Sequence, residues 1–538
     1  MGLSFRGIVD KWNRLDRLAK LALIVVVVTS IIRIYLGVIS APLNGVESTQ
    51  MATARYVAEI GRIPHKVPTM RDYFEYMPLY HILSAVLYNV LRFVVPSLAF
   101  MAFRVWPILS GIGIVILTYY LLKREGDRKI ALIATIFVAC FPMLFHVGSY
   151  TSIDAEAGFF VLLSIFFVMR RKYIFSVVSL AAAYYFKFTA GPYLIVPLFV
   201  IFWGKRKSKW IKTAVLYLFI FMLLVSPWMV RSYMVTGNPV YPFFSDKIGC
   251  CSSDAFGSGH CEGRLFHQGI IARHVIGYFG MPSEYIKVDT LMPLYLSPES
   301  VSNMSQVDVP FLLPLFYLWY FAILVFCVPV VFGAVKLYKA KPKLFYVTGL
   351  VLIVSEFVVW LTILRDRCVT PRYTVPFFLF FALLWSMGCN EIFLRYLKTK
   401  LVKRIAMMFV IGVLVFNVIF SAASITYVSH KFSKDFAFYD FVKSNYERGT
   451  YFYDVSSDTF IYYTQMFNMK DIAKGVDRNL VFVKQGSAES GVWHFGNGLP
   501  SGLESFLVME REFEHYKFYR INPDRESELL LFLEEQKE

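Results

Sequence analysis

Charge is scarce in this chain. Asp, Glu, Lys and Arg make up 17% of its 538 residues, against 57% hydrophobic residues and a mean hydropathy of +0.54. Soluble domains carry roughly 25% charged residues, so the composition excludes a soluble globular protein. Seven cysteines are present, no two of them spaced as a CxxC pair, which removes the usual zinc and thioredoxin-like signatures. No internal repeat relates one half to the other, as it does in many secondary transporters. The surplus of cations, 55 Lys and Arg against 38 Asp and Glu, forms no patch. These residues lie between apolar runs, the pattern of membrane topology rather than of a nucleic-acid footprint.

What the sequence has is a series of apolar runs, each with at most one charged residue, approaching the roughly 20 residues of a bilayer crossing. Eleven are read as spans: Leu21 to Ile39, Met101 to Leu122, Ile130 to Val147, Ala157 to Met169, Tyr173 to Phe186, Thr189 to Trp203, Ile211 to Val230, Phe311 to Val335, Leu344 to Leu364, Tyr373 to Leu394 and Ile405 to Tyr427. Arg6, Lys11, Arg14, Arg17 and Lys20 precede the first run. The positive-inside rule therefore puts the N-terminus in the cytoplasm, and the first run reads as an anchor rather than a cleaved signal peptide. Alternate connections are basic, at Lys123 to Lys129, Arg170 to Lys172, Gly204 to Lys212, Lys336 to Lys343 and Arg395 to Arg404. The others face out: residues 40–100, 148–156, the turn at Lys187, 231–310, 365–372 and everything after Tyr427. Pro78 to Val95 is read as a helix in the outer interface, because a crossing there would invert the charge rule. Residues 1–427 thus form a polytopic α-helical membrane domain. Residues 428–538, where charges become frequent, are expected to form a small extracytoplasmic α/β domain, with strands at Tyr451 to Val455 and Leu480 to Val483 and helices at Asp435 to Asn445 and Asp458 to Phe467.

The outward connections carry the candidate chemistry. Glu47 follows the first span. By itself it reads as a helix-start acid, and a carboxylate held at a membrane surface against an apolar wall also suits a general base. Asp154 and Glu156 begin a span with no Lys or Arg between His146 and Met169. Carboxylates beside hydrocarbon call for compensation, and in extended backbone a spacing of two would let both share a divalent cation such as Mg or Mn. Lys187 sits between two short apolar runs, where a point charge suits a lipid phosphate, though snorkelling to the interface explains a single lysine equally well. Arg231, Arg365, Arg367 and Arg372 lie on the side that the positive-inside rule disfavours, which points to a phosphate ligand. In the long loop, a disulfide of Cys261 with Cys250 or Cys251 is expected outside the cytoplasm. Nearby His260, His267 and His274 lack zinc-ligand spacing. Asn303-Met304-Ser305 is a sequon.

Taken in order, these segments resemble the glycosyltransferase C (GT-C) superfamily, whose members use polyprenyl-phosphate-linked sugars and include protein mannosyltransferases, aminoarabinose transferases and oligosaccharyltransferases. Glu47, then ARYVAEIGRIP from Ala54 and YFEYMPLY from Tyr73, is similar to that family's first external loop. Asp154, with Glu156, matches the acid of its second loop. SPWMVRSYMVTGNPVYPF from Ser226 and PRYTVPFFLFFALL from Pro371 are similar to two later motifs. The resemblance implies a GT-C-like fold of about eleven spans and transfer of a single sugar from a polyprenyl phosphate, dolichyl or undecaprenyl, to a hydroxyl of a protein, lipid or glycan, with inversion. It implies Glu47 and Asp154 as catalytic residues and Lys187, Arg372, Arg231 and Arg365 at the donor phosphate. The plasma membrane of a prokaryote is expected before the endoplasmic reticulum. There are departures: many members have Asp where this chain has Glu47, and aminoarabinose-type relatives have lysine where it has Met77. A Trp-Trp-Asp motif is missing from the C-terminal part, which demotes en bloc oligosaccharide transfer. A transporter or lipid flippase is the alternative from another class. The clustering of informative charges at external span ends favours the enzyme.

Overall fold

The computed structural model describes residues 17–39, 45–63, 77–125, 127–149, 151–204, 207–240, 327–366 and 375–433, the strand residues 451–453, 467–468, 480–485, 507–512 and 516–521, and Arg525 and Glu528. Two compact units divide the chain. One comprises Met1–Ile39 with Glu75–Ile425, the other Ser40–Phe74 with Thr426–Glu538.

The first unit is helical: α1 (Arg17–Ile39), α3 (Pro78–Val94), a 3-10 turn (Pro96–Phe103), α4 (Val105–Glu125), α5 (Arg128–Cys140), α6 (Pro142–Val147), α7 (Ile153–Met169), α8 (Tyr173–Phe186), a second 3-10 turn (Phe188–Leu194), α9 (Ile195–Gly204), α10 (Lys207–Thr236), a helical stretch over 327–340, α11 (Pro342–Asp366), α12 (Val375–Arg395) and most of α13 (Lys400–Ser433). Between them, α2 (Gly45–Ile60) belongs to the second unit. Helices are what an apolar chain must form in lipid, because only they satisfy every backbone group within the segment.

Among the described residues, six helices are long and apolar enough to cross a bilayer: Arg17–Val38, Val105–Lys123, Trp210–Thr236, Pro342–Val359, Val375–Arg395 and Lys400–Ile419. Other expected spans fall on shorter or interrupted helices, for local reasons. Ile130 to Val147 is broken at Phe141, whose extended backbone (φ −74°, ψ 123°) separates α5 from α6. Pro142 follows, and a proline pushes its predecessor out of helical conformation. Thr189 to Trp203 opens as a 3-10 turn containing Pro192. The span expected from Ala157 starts earlier, at Ile153, which brings Asp154 and Glu156 onto the helix. The span expected at Phe311 to Val335 is described only from 327. Pro78 to Val95, expected as a helix, is α3. Arg231, expected to open a loop, lies inside α10. That helix runs on to Thr236 and ends at Gly237, whose φ of 73° favours glycine and whose N–H reaches the Tyr233 carbonyl at 2.7 Å.

α12 is the axis of the bundle and is buried along most of its length. Phe137 of α5 packs on Trp385 with ring centroids 4.6 Å apart, and Phe141 on Phe378 at 4.7 Å. On another side, Gly388 of α12 faces the Pro329 carbonyl and Gly333 faces the Leu384 carbonyl, so closely that a Cβ at either glycine would overlap backbone. Small residues permit such close helix crossings where no hydrophobic effect draws helices together. Ser164 of α7, Ser176 of α8 and Tyr217 of α10 are joined by hydrogen bonds, with Ser176 Oγ 2.9 Å from Tyr217 Oη and also donating to the Ser164 carbonyl at 2.9 Å. Val215, Leu216, Phe219, Met222 and Leu223 of α10 stay exposed, the outward apolar face expected of a lipid-facing helix.

The break after α5 leaves helix-end carbonyls without partners along their own helix. The Ala139 carbonyl is met by Arg33 of α1, whose Nη2 donates at 3.0 Å. The guanidinium lies 4.8 Å from the Phe145 ring centroid, and a cation at a helix C-terminus also complements its dipole. Arg104 ties α1 to the start of α4 through Nη1 and the Gly37 carbonyl, 2.8 Å apart.

In the second unit, β1 (Tyr451–Tyr453), β2 (Phe467–Asn468), β3 (Leu480–Gln485), β4 (Leu507–Glu512) and β5 (Tyr516–Ile521) form one mixed sheet of order β2-β1-β3-β5-β4. β1 pairs parallel with β2 and β3; β5 pairs antiparallel with β3 and β4, with an irregularity between Met509 and Arg511. β1 and β3 fall on the alternating runs. The helices expected at Asp435 to Asn445 and Asp458 to Phe467 lie outside the described residues, except Phe467, which opens β2.

Candidate functional site

The turn at Arg170–Lys172 joins α7 and α8 as an antiparallel hairpin, with Arg171 in a left-handed conformation (φ 61°). Antiparallel pairing puts the first turn of α7 beside the end of α8, so residues 154 and 187 meet although 33 positions separate them. Ser152 is the N-cap of α7: its Oγ accepts from the Asp154 N–H at 3.3 Å and donates to Asp154 Oδ2 at 3.0 Å. Lys187 is the C-cap of α8, its extended backbone (φ −155°, ψ 125°) turning the chain into the 3-10 segment. From there its ammonium forms an ion pair with Asp154 Oδ1. Both residues are buried, 5% and 8% exposed, so the pair is shielded from bulk water.

α12 closes over this pair. A Cβ at Gly158 of α7 would lie 2.5 Å from Val375 Cβ, and only glycine admits that approach. Asp154, Gly158, Lys187, Thr189, Tyr193 and Pro376 are among the residues lining a cavity of about 10 Å³, room for one water molecule. Tyr193 in turn shares a hydrogen bond with Ser355 of α11, 2.8 Å apart. Tyr193 and Ser355 carry no sequence signal that marks them; Ser152, two residues before an aspartate at a helix start, carries the N-cap signature.

Lys187, expected at a donor phosphate, thus meets a carboxylate of its own chain. The shared cation site expected of Asp154 and Glu156 does not form, because both sit in the first turn of a helix. Residues two apart on a helix point about 200° away from each other. Glu156 is 1% exposed, and neither of its carboxylate oxygens has a hydrogen-bond partner among the described residues. Among those residues no three His, Cys, Asp or Glu side chains gather as a metal site. The donor set therefore does not fit an Mg or Mn ion held by these two carboxylates.

The other expected site residues are placed less closely. Glu47 is in the first turn of α2, in the second unit. Arg231 is half-buried, with its guanidinium 4.5 Å from the Trp228 ring centroid. Arg365 is the penultimate residue of α11. Arg367, Arg372, Cys250, Cys251, Cys261, the loop histidines and the Asn303 sequon lie outside the described residues. After Gly237 the Gly-Asn-Pro motif begins as a side-chain-capped turn, with Asn238 Oδ1 accepting from the Val240 N–H at 3.0 Å.

A family described only as a domain of unknown function, DUF8201, matches residues 70–249, a third of the chain. No curated protein matches by sequence. The fold is similar to ArnT of Cupriavidus metallidurans bound to undecaprenyl phosphate, with a TM-score of 0.54 at 10% identity, over 92% of this chain and 97% of that one. It is similar as well to the Archaeoglobus fulgidus oligosaccharyltransferase, with a TM-score of 0.54 at 10% identity over 83% of this chain, and 0.52 for the form tethered to an acceptor peptide. The chain spans 64% of the length of that oligosaccharyltransferase. The helical bundle is thus matched in fold along nearly all of its length by ArnT, and over 83% of it by the oligosaccharyltransferase.

Proposed function

We propose that this protein transfers one sugar from a polyprenyl phosphate to an acceptor hydroxyl at the outer face of a membrane, with inversion. The observation that carries the reading is the near full-length likeness to ArnT, in a structure that holds undecaprenyl phosphate. A single sugar is favoured over en bloc oligosaccharide transfer because the chain spans 97% of ArnT but 64% of the oligosaccharyltransferase. The eleven-span topology, the prokaryotic plasma membrane and the outward α/β domain of residues 428–538 belong to the same reading, supported by the alternation of basic connections.

In this mechanism Glu47 takes the proton of the acceptor hydroxyl as the oxygen forms its bond to the anomeric carbon. The bond from that carbon to the phosphate oxygen breaks, and the polyprenyl phosphate leaves with the electron pair. A phosphate leaving group needs cations rather than a strong acid, and Arg372, Arg365 and Arg231 are assigned to it. Lys187 fixes Asp154 through their ion pair, and Asp154 is assigned to orient the donor sugar. No step passes through a divalent ion.

The test is a reconstituted assay. Purified protein in liposomes is given lipid-linked sugars of several types with candidate protein, lipid and glycan acceptors, and release of polyprenyl phosphate is followed together with the anomeric configuration of the product. Retention of configuration would point to a covalent glycosyl intermediate and overturn the single displacement. No transfer with any donor would overturn the reading as a whole.

A further inference from the structure

We propose that Lys187 is the resident cation of this site, held where a divalent ion would otherwise balance Asp154, so that the protein has no divalent metal at this carboxylate. Asp154 stands at the start of α7 against packed helices, 5% exposed, and a buried carboxylate there needs a positive partner. Both of its oxygens are engaged by the chain itself. Oδ1 carries the Lys187 ammonium, and Oδ2 accepts from Ser152 Oγ at 3.0 Å. A hard cation such as Mg or Mn takes about six oxygen ligands at about 2.0–2.2 Å. Here the neighbouring carboxylate on the same helix turn, Glu156, points to another side of the helix, and the adjoining cavity of about 10 Å³ has room for one water only.

Lys187 is also fixed where it is. Its backbone N–H is bonded to the Ala183 carbonyl at 2.9 Å, and its own carbonyl accepts from Ala190 at 3.0 Å. The lysine therefore sits at the hinge between α8 and the 3-10 segment, with Gly158 and Val375 closing the other side. A built-in ammonium gives a charge of +1 where a metal would give +2. It lies in place before any ligand arrives and does not depend on metal supply.

The inference rests on the transferase reading only for what the site is used for. Its test measures binding and stability, so a protein that transferred no sugar would overturn that reading and still give an answer here. Full-length protein in detergent is titrated with Mn²⁺ and followed by electron paramagnetic resonance, beside the double variant Asp154→Asn/Lys187→Met, in which neither buried charge is left alone. Equal Mn²⁺ binding by the two, and a melting temperature unchanged by EDTA, are expected. One equivalent bound by the parent and lost in the double variant would overturn the proposal. In a second arm, Lys187→Ala lacks the volume of one propylammonium ion. Propylammonium should raise the melting temperature of this variant and not that of the parent, whereas Mn²⁺ should not replace it. Rescue by Mn²⁺ in place of the amine would sink the idea. If Lys187→Ala does not fold, the first comparison decides alone.

Discussion

The ammonium of Lys187, at the end of one helix, rests on the carboxylate of Asp154, at the start of the helix before it. Removing one partner of a buried pair leaves the other charge alone, which costs about 3–5 kcal/mol, whereas removing both is close to neutral. Lys187→Met and Asp154→Asn should therefore each lower stability in detergent by an amount of that order, and the double variant should recover most of it. Thermal unfolding of the four proteins in a double-mutant cycle measures the coupling. Additive losses would mean that the two side chains do not stabilise one another.

Glu47→Gln keeps the size and hydrogen bonding of the side chain but cannot take a proton. Transfer should fall by about a hundredfold to ten-thousandfold, with binding of polyprenyl phosphate retained. Near-parental turnover in folded protein would remove Glu47 as the base and make Glu156 the next residue to test.

Arg372→Ala and Arg365→Ala should weaken use of the donor more than of the acceptor. A charge-assisted contact contributes roughly 1.5–3 kcal/mol, so each loss should reduce transfer about tenfold to a hundredfold. Steady-state kinetics with donor and acceptor varied separately would show it, and an unchanged donor dependence would take these arginines away from the phosphate.

The proposed topology is open to labelling. A cysteine at Ser487 should react with an impermeant maleimide in intact cells, and one at Ser208 should react only after lysis. Reaction at Ser208 from outside would reverse the sidedness on which Glu47, Asp154 and Lys187 are all placed.

His81 of α3, read as an interface helix, gives a pH dependence. Burial pushes its imidazole down to about 4, although a bond at 3.2 Å between Nδ1 and the Met77 carbonyl acts the other way. A histidine depressed in the folded state binds its proton more readily when unfolded, so stability present above pH 6.5 should fall as pH drops toward 4. The slope should approach about 1.4 kcal/mol per pH unit inside that window. His81→Phe should flatten this dependence in unfolding experiments between pH 4 and 7. A slope that persists would assign it to other groups.

The helical spans are legible in the sequence where an apolar run is long enough to cross a bilayer as one helix. Apolar runs long enough to span became α1, α4, α10, α11, α12 and α13. Where the chain is locally interrupted, hydropathy is silent. Phe141 is as apolar as its neighbours, and only Pro142 behind it marks the break; Gly237, not any change in polarity, marks where α10 ends beyond Arg231. Asp154, Glu156 and Lys187 were legible as charges needing a reason, since each stands at the edge of an apolar run. Their relation was not. Reading Asp154 and Glu156 as extended backbone pointed both at one ion, and the four extra residues at the start of α7 separate them. The pairing of Asp154 with Lys187 depends on hairpin register, which no single residue announces, and the same holds for Tyr193 with Ser355.

The contact between Arg33 and the Ala139 carbonyl has a bearing on assembly, because the two residues are 106 positions apart. At a synthesis rate of about 5–20 residues per second, the carbonyl is made roughly 5–20 s after the arginine. Through that interval α1 carries a guanidinium whose eventual acceptor does not yet exist, and an unpaired arginine within an apolar span is unfavourable in a bilayer. The bond that seats α1 on the end of α5 can therefore form only after the chain has been made as far as Ala139, so docking of the first helix is later than its synthesis by that interval.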